Sequence, residues 1–303
     1  MPAPGRPVGG GPARVFSCQI LAFTVSALFR TIVFVLAAAM VLFTALLLYA
    51  DGHVPAGVPT QGPEYSLSQL VDALRAVDAR GQVDLAELKK RHASLETFVA
   101  SMAATSPDTR PAAFPTVESR LAYWLNAYHA LVLLELLDTR STTTSGLRAA
   151  FDTVPIGGRR WSRAAIYRQV LRQSGDARVF LSLFTGAKGR GVLDGAPFDP
   201  DSLNLQLDDA MRRFVRRGDH FALSGKTVKL SELFRAHRDD LLMALPEERK
   251  NVLQIVWAYL PESCEGEKAG CDTRGDLDRA CGKRFEDCTL EYLPIDETLA
   301  IKN

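Results

Sequence analysis

The chain has 303 residues, 47% of them hydrophobic and 23% charged, with a formal net charge of +1 at pH 7. A balance this close to neutral excludes the bulk basic character of a nucleic-acid binder, so no nucleic-acid partner is expected. Ordinary apolar and charged fractions also exclude a fibrous or wholly disordered chain, but they average over a strong asymmetry along the sequence.

Met1 to Arg14 is rich in Pro and Gly and reads as disordered, so residues 1–30 are expected to form a cytoplasmic tail. Val15 to Phe29 is too short to span a bilayer and is read as a helical extension at the inner interface, with Cys18 as plain apolar filler. Thr31 to Ala50 (TIVFVLAAAMVLFTALLLYA) contains no charge, no Gly and no Pro. About 20 apolar residues in a helix cross a bilayer core, so this run predicts a single transmembrane helix and makes the lipid bilayer the first expected partner. Arg6, Arg14 and Arg30 precede it, whereas Asp51, His53 and Glu64 follow. Arg on the leading flank predicts a cytoplasmic N-terminus and an extracytoplasmic remainder, periplasmic in a bacterium. A cleaved signal peptide fits less well, because its apolar core is roughly 7–15 residues and Leu48-Tyr49-Ala50 is a poor cleavage site. A lipoprotein anchored at Cys18 would need a small residue where Phe16 stands. A helix of a soluble domain normally shows a polar face, which this run lacks, so that reading fits less well.

Residues 51–64 are a Gly/Pro linker, and a domain is expected over residues 65–300. Ser66 with Gln69 and Asp84 with Glu87 start two helices, the second carrying Leu88, Leu95, Phe98, Val99 and Met102. Val117 to Leu137 is apolar nearly all round, as in a helix at the centre of a domain. Val154 to Gly158 is a short extended piece ending in a turn, and Ser162 can cap a helix through Leu171. Arg178 to Leu183 (RVFLSL) reads as a buried strand, and Thr185 to Gly195 as a Gly-rich loop. Asp199-Pro200 marks a helix start. Phe221 to Leu223 and Thr227 to Leu230 flank Ser224-Gly225 as a hairpin. Ser231 to Leu245 and Pro246 to Leu260 are two further helices. The predicted fold class is α+β, a mostly helical single domain with a small sheet, preceded by one transmembrane helix.

Cys264, Cys271, Cys281 and Cys288 follow the spacing C-x6-C-x9-C-x6-C. Zinc ligands usually pair at shorter spacing, and an even number of cysteines outside the cytoplasm favours two disulfides. The pairing stays open between a nested arrangement (Cys264–Cys288 with Cys271–Cys281) and two local loops.

Tyr123-Trp124-Leu125-Asn126-Ala127-Tyr128-His129 resembles the pattern aromatic-aromatic-aliphatic-Asn-x-Tyr-(Asn or His) of the domain of unknown function 547 family. Val83-Asp84 with Leu88, Ile156-Gly157-Gly158 with Trp161-Ser162, Asp176-Ala177-Arg178, Phe234 to Leu241 and Ile295 to Ala300 look like further motifs of that family in the same order. The resemblance runs roughly from Tyr65 to Ala300, with residues 261–290 as a Cys-rich insertion. The family commonly carries two loop cysteines where this chain has Thr185 and Arg190.

A thiol enzyme needs a thiolate beside an oriented base. Here His129 could serve as base and Asn126 as the orienting amide, three residues apart on one helix face, while Thr185 is a poor nucleophile. A structural role for Asn126 and His129, satisfying core partners, outweighs catalysis. Arg178 and Asp240 are expected to form a structural pair. His237 is expected at the surface or rim, and Arg212, Arg213, Arg216 and Arg217 on a solvated helix face. HExxH, GxSxG, P-loop and tight Cys/His motifs are absent, so neither cofactor nor metal is expected. Two function classes remain: a non-catalytic binding or scaffold module, and a hydrolase or transferase of thiol-enzyme ancestry with a degenerate active site.

Overall fold

The computed structural model describes residues 30, 32–44, 61–139, 141–144, 152–243, 245–247, 250–264 and 271–302. The chain divides into two units, Met1–His53 and Val54–Asn303. In the first, residues 32–44 are helical, and the apolar side chains of Ile32, Phe34, Leu36, Met40 and Leu42 are exposed. Among the described residues no helix is long and apolar enough to cross a membrane. The expected span Thr31–Ala50 lies partly outside those residues, as do Cys18 and most of the linker.

The second unit mixes helices with short strands. Ser66 caps the helix Leu67–Leu74 by accepting from the Ser68 N–H, and Asp84 caps Leu85–Lys90 by accepting from Ala86 and Glu87. The single helix expected after Asp84 breaks at Arg91 and resumes as His92–Ser101. Thr116 and Ser119 form a reciprocal capping box, which satisfies N–H groups that a helix start otherwise leaves orphaned. The central helix Val117–Asp138 follows, buried on nearly every side from Leu121 to Leu133.

Strand β1 (Thr153–Ile156) pairs antiparallel with β2 (Arg159–Ser162). The turn between them is Gly157-Gly158, both at positive φ. A Cβ at Gly157 would stand 2.2 Å from Ser106 Oγ, so bare backbone is required there. Ser162 caps Arg163–Ile166 through the Ala165 N–H, and the chain runs on as a π turn over Tyr167–Leu171.

The strand expected at Arg178–Leu183 is instead the helix Ala177–Ser182, capped by Asp176 through the Arg178 N–H. Periodicity cannot separate a short apolar strand from a short buried helix, and the Asp cap decides for the helix. The helix expected at Asp199-Pro200 begins later, as Leu203–Val215, because Asp199 turns back to accept the Asp201 N–H.

The hairpin is formed by β3 (Phe221–Ser224) and β4 (Thr227–Ser231), with Gly225 at φ +60. Strand β5 (Thr289–Leu293) lies parallel beside β4, giving the order β3-β4-β5. Short helices Glu232–Ala236 and Arg238–Met243, broken at His237, and Val252–Tyr259 replace the two longer ones expected. The α+β class, mostly helical with a small sheet, is thus the observed architecture. One apolar cluster surrounds the central helix; another lies among the hairpin, Val252–Tyr259 and Arg274–Cys281. Disulfides join Cys264 to Cys271 and Cys281 to Cys288, so the two-local-loops alternative holds and the nested and zinc readings do not.

Candidate functional site

An open cleft of about 480 Å³ is lined by side chains from widely separated parts of the chain, among them Tyr128, Arg163, Thr185, Arg190, His237 and Glu297. Tyr128 comes from the central helix. Arg163 is delivered by the helix that β2 leads into. The residue is 7% exposed, and its guanidinium gives one N–H to Tyr128 Oη at 3.1 Å and another to Glu135 at 2.7 Å. Across the loop, Arg190 meets Glu297 at 2.6 Å, and Thr144 Oγ1 donates to the same carboxylate at 2.7 Å. Burial works against the Glu297 charge, but the hydrogen bonds from Thr144 and Arg190 outweigh it and hold the carboxyl below its ordinary range.

His237, expected at the surface or rim, lines the cleft with its side chain 17% exposed and its ring stacked on Phe180 at 5.1 Å. Its Nδ1 stands 3.9 Å from Asp240. Burial lowers its pKa despite the opposing pull of Asp240. Among the described residues, Thr185 Oγ1 and Arg163 Nε are both buried without a hydrogen-bond partner.

Of the three candidates from the sequence, only Thr185 lines this cleft. Asn126 and His129 turn into the core. The Asn126 amide donates to the Phe198 carbonyl and accepts the Phe198 N–H, both at 2.8 Å. His129 Nε2 accepts the Phe184 N–H at 3.3 Å, and its ring lies 5.6 Å from that of Phe198. Burial pushes the His129 pKa down to about 3, so the ring is neutral. Together the two side chains fasten both ends of the segment Phe184 to Phe198 onto the central helix. A helix advances about 100° per residue. Residues 126 and 129 therefore share a face, while Tyr128 points elsewhere.

Arg178 and Asp240 do not pair as expected. Arg178 binds Asp176 at 2.7 Å, Asp208 at 2.8 Å and Asn204 at 2.7 Å. Asp240 instead faces Arg172 at 3.5 Å. Asp176 and Asp208 lie nearer to Arg178 in sequence and fold, and they take its hydrogen-bonding capacity first.

Within the basic run, Arg212 and Arg213 meet Asp209 and Asp194 on the surface. Arg217 does more, donating to the Lys188 carbonyl at 2.6 Å and so bracing the Gly-rich loop. His220, which sequence reasoning passed over, is 1% exposed and stacked on Phe214 at 3.7 Å. Burial brings its pKa down to about 4.

Residues 113–215, about a third of the chain, match the family model described as "Protein of unknown function, DUF547". No curated protein and no solved structure matches the chain.

Proposed function

We propose, from the premise that residues 113–215 belong to the domain of unknown function 547 family, that this chain is a membrane-anchored extracytoplasmic module. In this reading it binds a small ligand in the Tyr128–His237 cleft without transforming it. The observation that carries the non-catalytic part is Thr185. It stands where the family resemblance expects a cysteine, yet among the described residues its hydroxyl has no hydrogen-bond partner, and no base there engages it. The size of the cleft and its convergent polar groups suit ligand binding.

Anchoring draws on the uncharged run Thr31–Ala50, the Arg residues ahead of it and the exposed apolar side chains of residues 32–44. The two disulfides agree with an oxidising compartment. A compartment reporter fused after Asn303 should be active outside the cytoplasm, and a silent one would reverse the topology.

The second reading, an enzyme of thiol-enzyme ancestry, is favoured by the His237–Asp240 contact at the cleft rim. Full-length protein in detergent, offered fluorogenic esters and peptides, decides between the two. Binding alone predicts no turnover above buffer. Turnover that His237→Ala abolishes would establish the enzyme instead.

A further inference from the structure

We infer that a separate cleft beside the Gly-rich loop binds a small phosphate-bearing ligand. The cleft holds about 450 Å³ and shares no lining residue with the Tyr128–His237 cleft, so the inference stands apart from the reading of that site. Five residues lining it, Arg80, Lys188, Arg213, Arg216 and Arg217, are cationic, and among the described residues no carboxylate lines it. The whole chain carries a formal net charge of only +1, so this grouping is local.

Three segments bring the cations together. Gly81, at φ +74, has no side chain, and a Cβ there would stand 2.3 Å from Val192 Cγ1, so the turn carrying Arg80 packs directly on the loop. The Val83 N–H donates to the Ala300 carbonyl at 2.9 Å, and the Ala300 N–H to the Gly186 carbonyl at 2.8 Å. Arg217 donates to the Lys188 carbonyl at 2.6 Å, which ties the end of the helix Leu203–Val215 to the same loop. The walls are thus set before a ligand arrives, which lowers the cost of binding.

Asp78, Asp194 and Asp219 stand beside Arg80, Arg213 and Arg217, and Asp296 is within reach of the Lys188 charge. None of these carboxylates lines the cleft, so its interior faces the cations. The Arg80–Asp78 contact is loose, at 3.9 Å with the Arg80 side chain 82% exposed, and among the described residues Lys188 forms no ion pair. A cleft lined by one sign of charge with apolar walls concentrates its field on what enters, and Phe184, Ala187 and Val192 supply such walls. Guanidinium and ammonium donors from three segments suit a phosphate, whose oxygens share more than one negative charge. The volume is that of a small-molecule site.

The test titrates inorganic pyrophosphate by calorimetry into the full-length chain in a non-ionic detergent. It should bind with a dissociation constant below about 1 mM, and more weakly as salt is raised, because solvent-accessible charges are screened. Arg80→Gln and Lys188→Gln should each weaken binding about tenfold, the scale of one charge-assisted hydrogen bond. Both residues reach solvent, so the variants should melt with wild type. Arg212→Gln removes a charge from the same helix outside the cleft lining and should leave the affinity within about twofold. No binding at millimolar pyrophosphate would overturn the inference, as would an affinity unchanged in either lining variant. An equal loss in Arg212→Gln would overturn it too, by showing a diffuse attraction to the basic face. None of these outcomes bears on the Tyr128–His237 cleft.

Discussion

Two polar surfaces of the central helix start from the same short motif and end in opposite conditions. On one side, Asn126 and His129 are 2% and 5% exposed and spend their hydrogen bonds on the backbone of Phe198 and Phe184. On the other, Tyr128 meets Arg163 at the wall of a cleft where, among the described residues, Thr185 Oγ1 and Arg163 Nε lack partners. A buried group bonded to backbone of another segment fastens the fold, whereas a buried polar atom left without a partner contributes no such bond. The contrast teaches that polar residues in one motif need not serve one purpose.

The most severe test of the contrast is Arg163→Met. It leaves Glu135 largely buried without its partner, and removing one member of such a pair costs about 3–5 kcal/mol. A chemical denaturation midpoint close to wild type would show that the cleft wall tolerates the loss and that the Arg163–Glu135 pair adds little to the fold.

Acidification probes the sealed side. His129 and His220 have folded pKa values depressed to about 3 and about 4. The unfolded chain therefore takes up protons first as pH falls below about 6.5. The stability tied to their neutral forms is complete above that pH and is lost progressively toward pH 4. Between pH 6.5 and 5 the two groups together should cost on the order of 3 kcal/mol. His129→Leu should remove about half of this slope in a series of melts, and an unaltered slope would show that the ring is not held neutral by burial.

Asn126→Ala strips two hydrogen bonds from the backbone of Phe198 and should cost about 2–3 kcal/mol. Affinity for a cleft ligand in the protein that remains folded should stay within about twofold, because Asn126 does not line the cleft. A much larger loss of affinity would join the two surfaces into one site.

The smallest effect expected is that of Thr185→Val, within about 0.5 kcal/mol of wild type in the apo protein. A fall of several kcal/mol would mean that the hydroxyl belongs to the fold after all.

The sequence alone determined the α+β class, the all-round burial of the central helix, the β3-β4 hairpin and the cap residues Ser66, Asp84 and Ser162. These follow from local periodicity, turn chemistry and capping, which neighbouring residues carry. It also limited the late cysteines to a few pairings and supplied the family resemblance that the match over residues 113–215 bears out. Tertiary structure decided the rest. The RVFLSL run became a helix because an apolar segment of that length has no decisive period and Asp176 was free to cap it. Arg178 chose Asp208, 30 residues away, over Asp240. The cleft brings Tyr128 together with Arg163, Thr185, Arg190, His237 and Glu297, residues up to 169 positions from it along the chain. No local pattern encodes that meeting. It depends on how elements distant in sequence pack, and on which face of the central helix each side chain occupies.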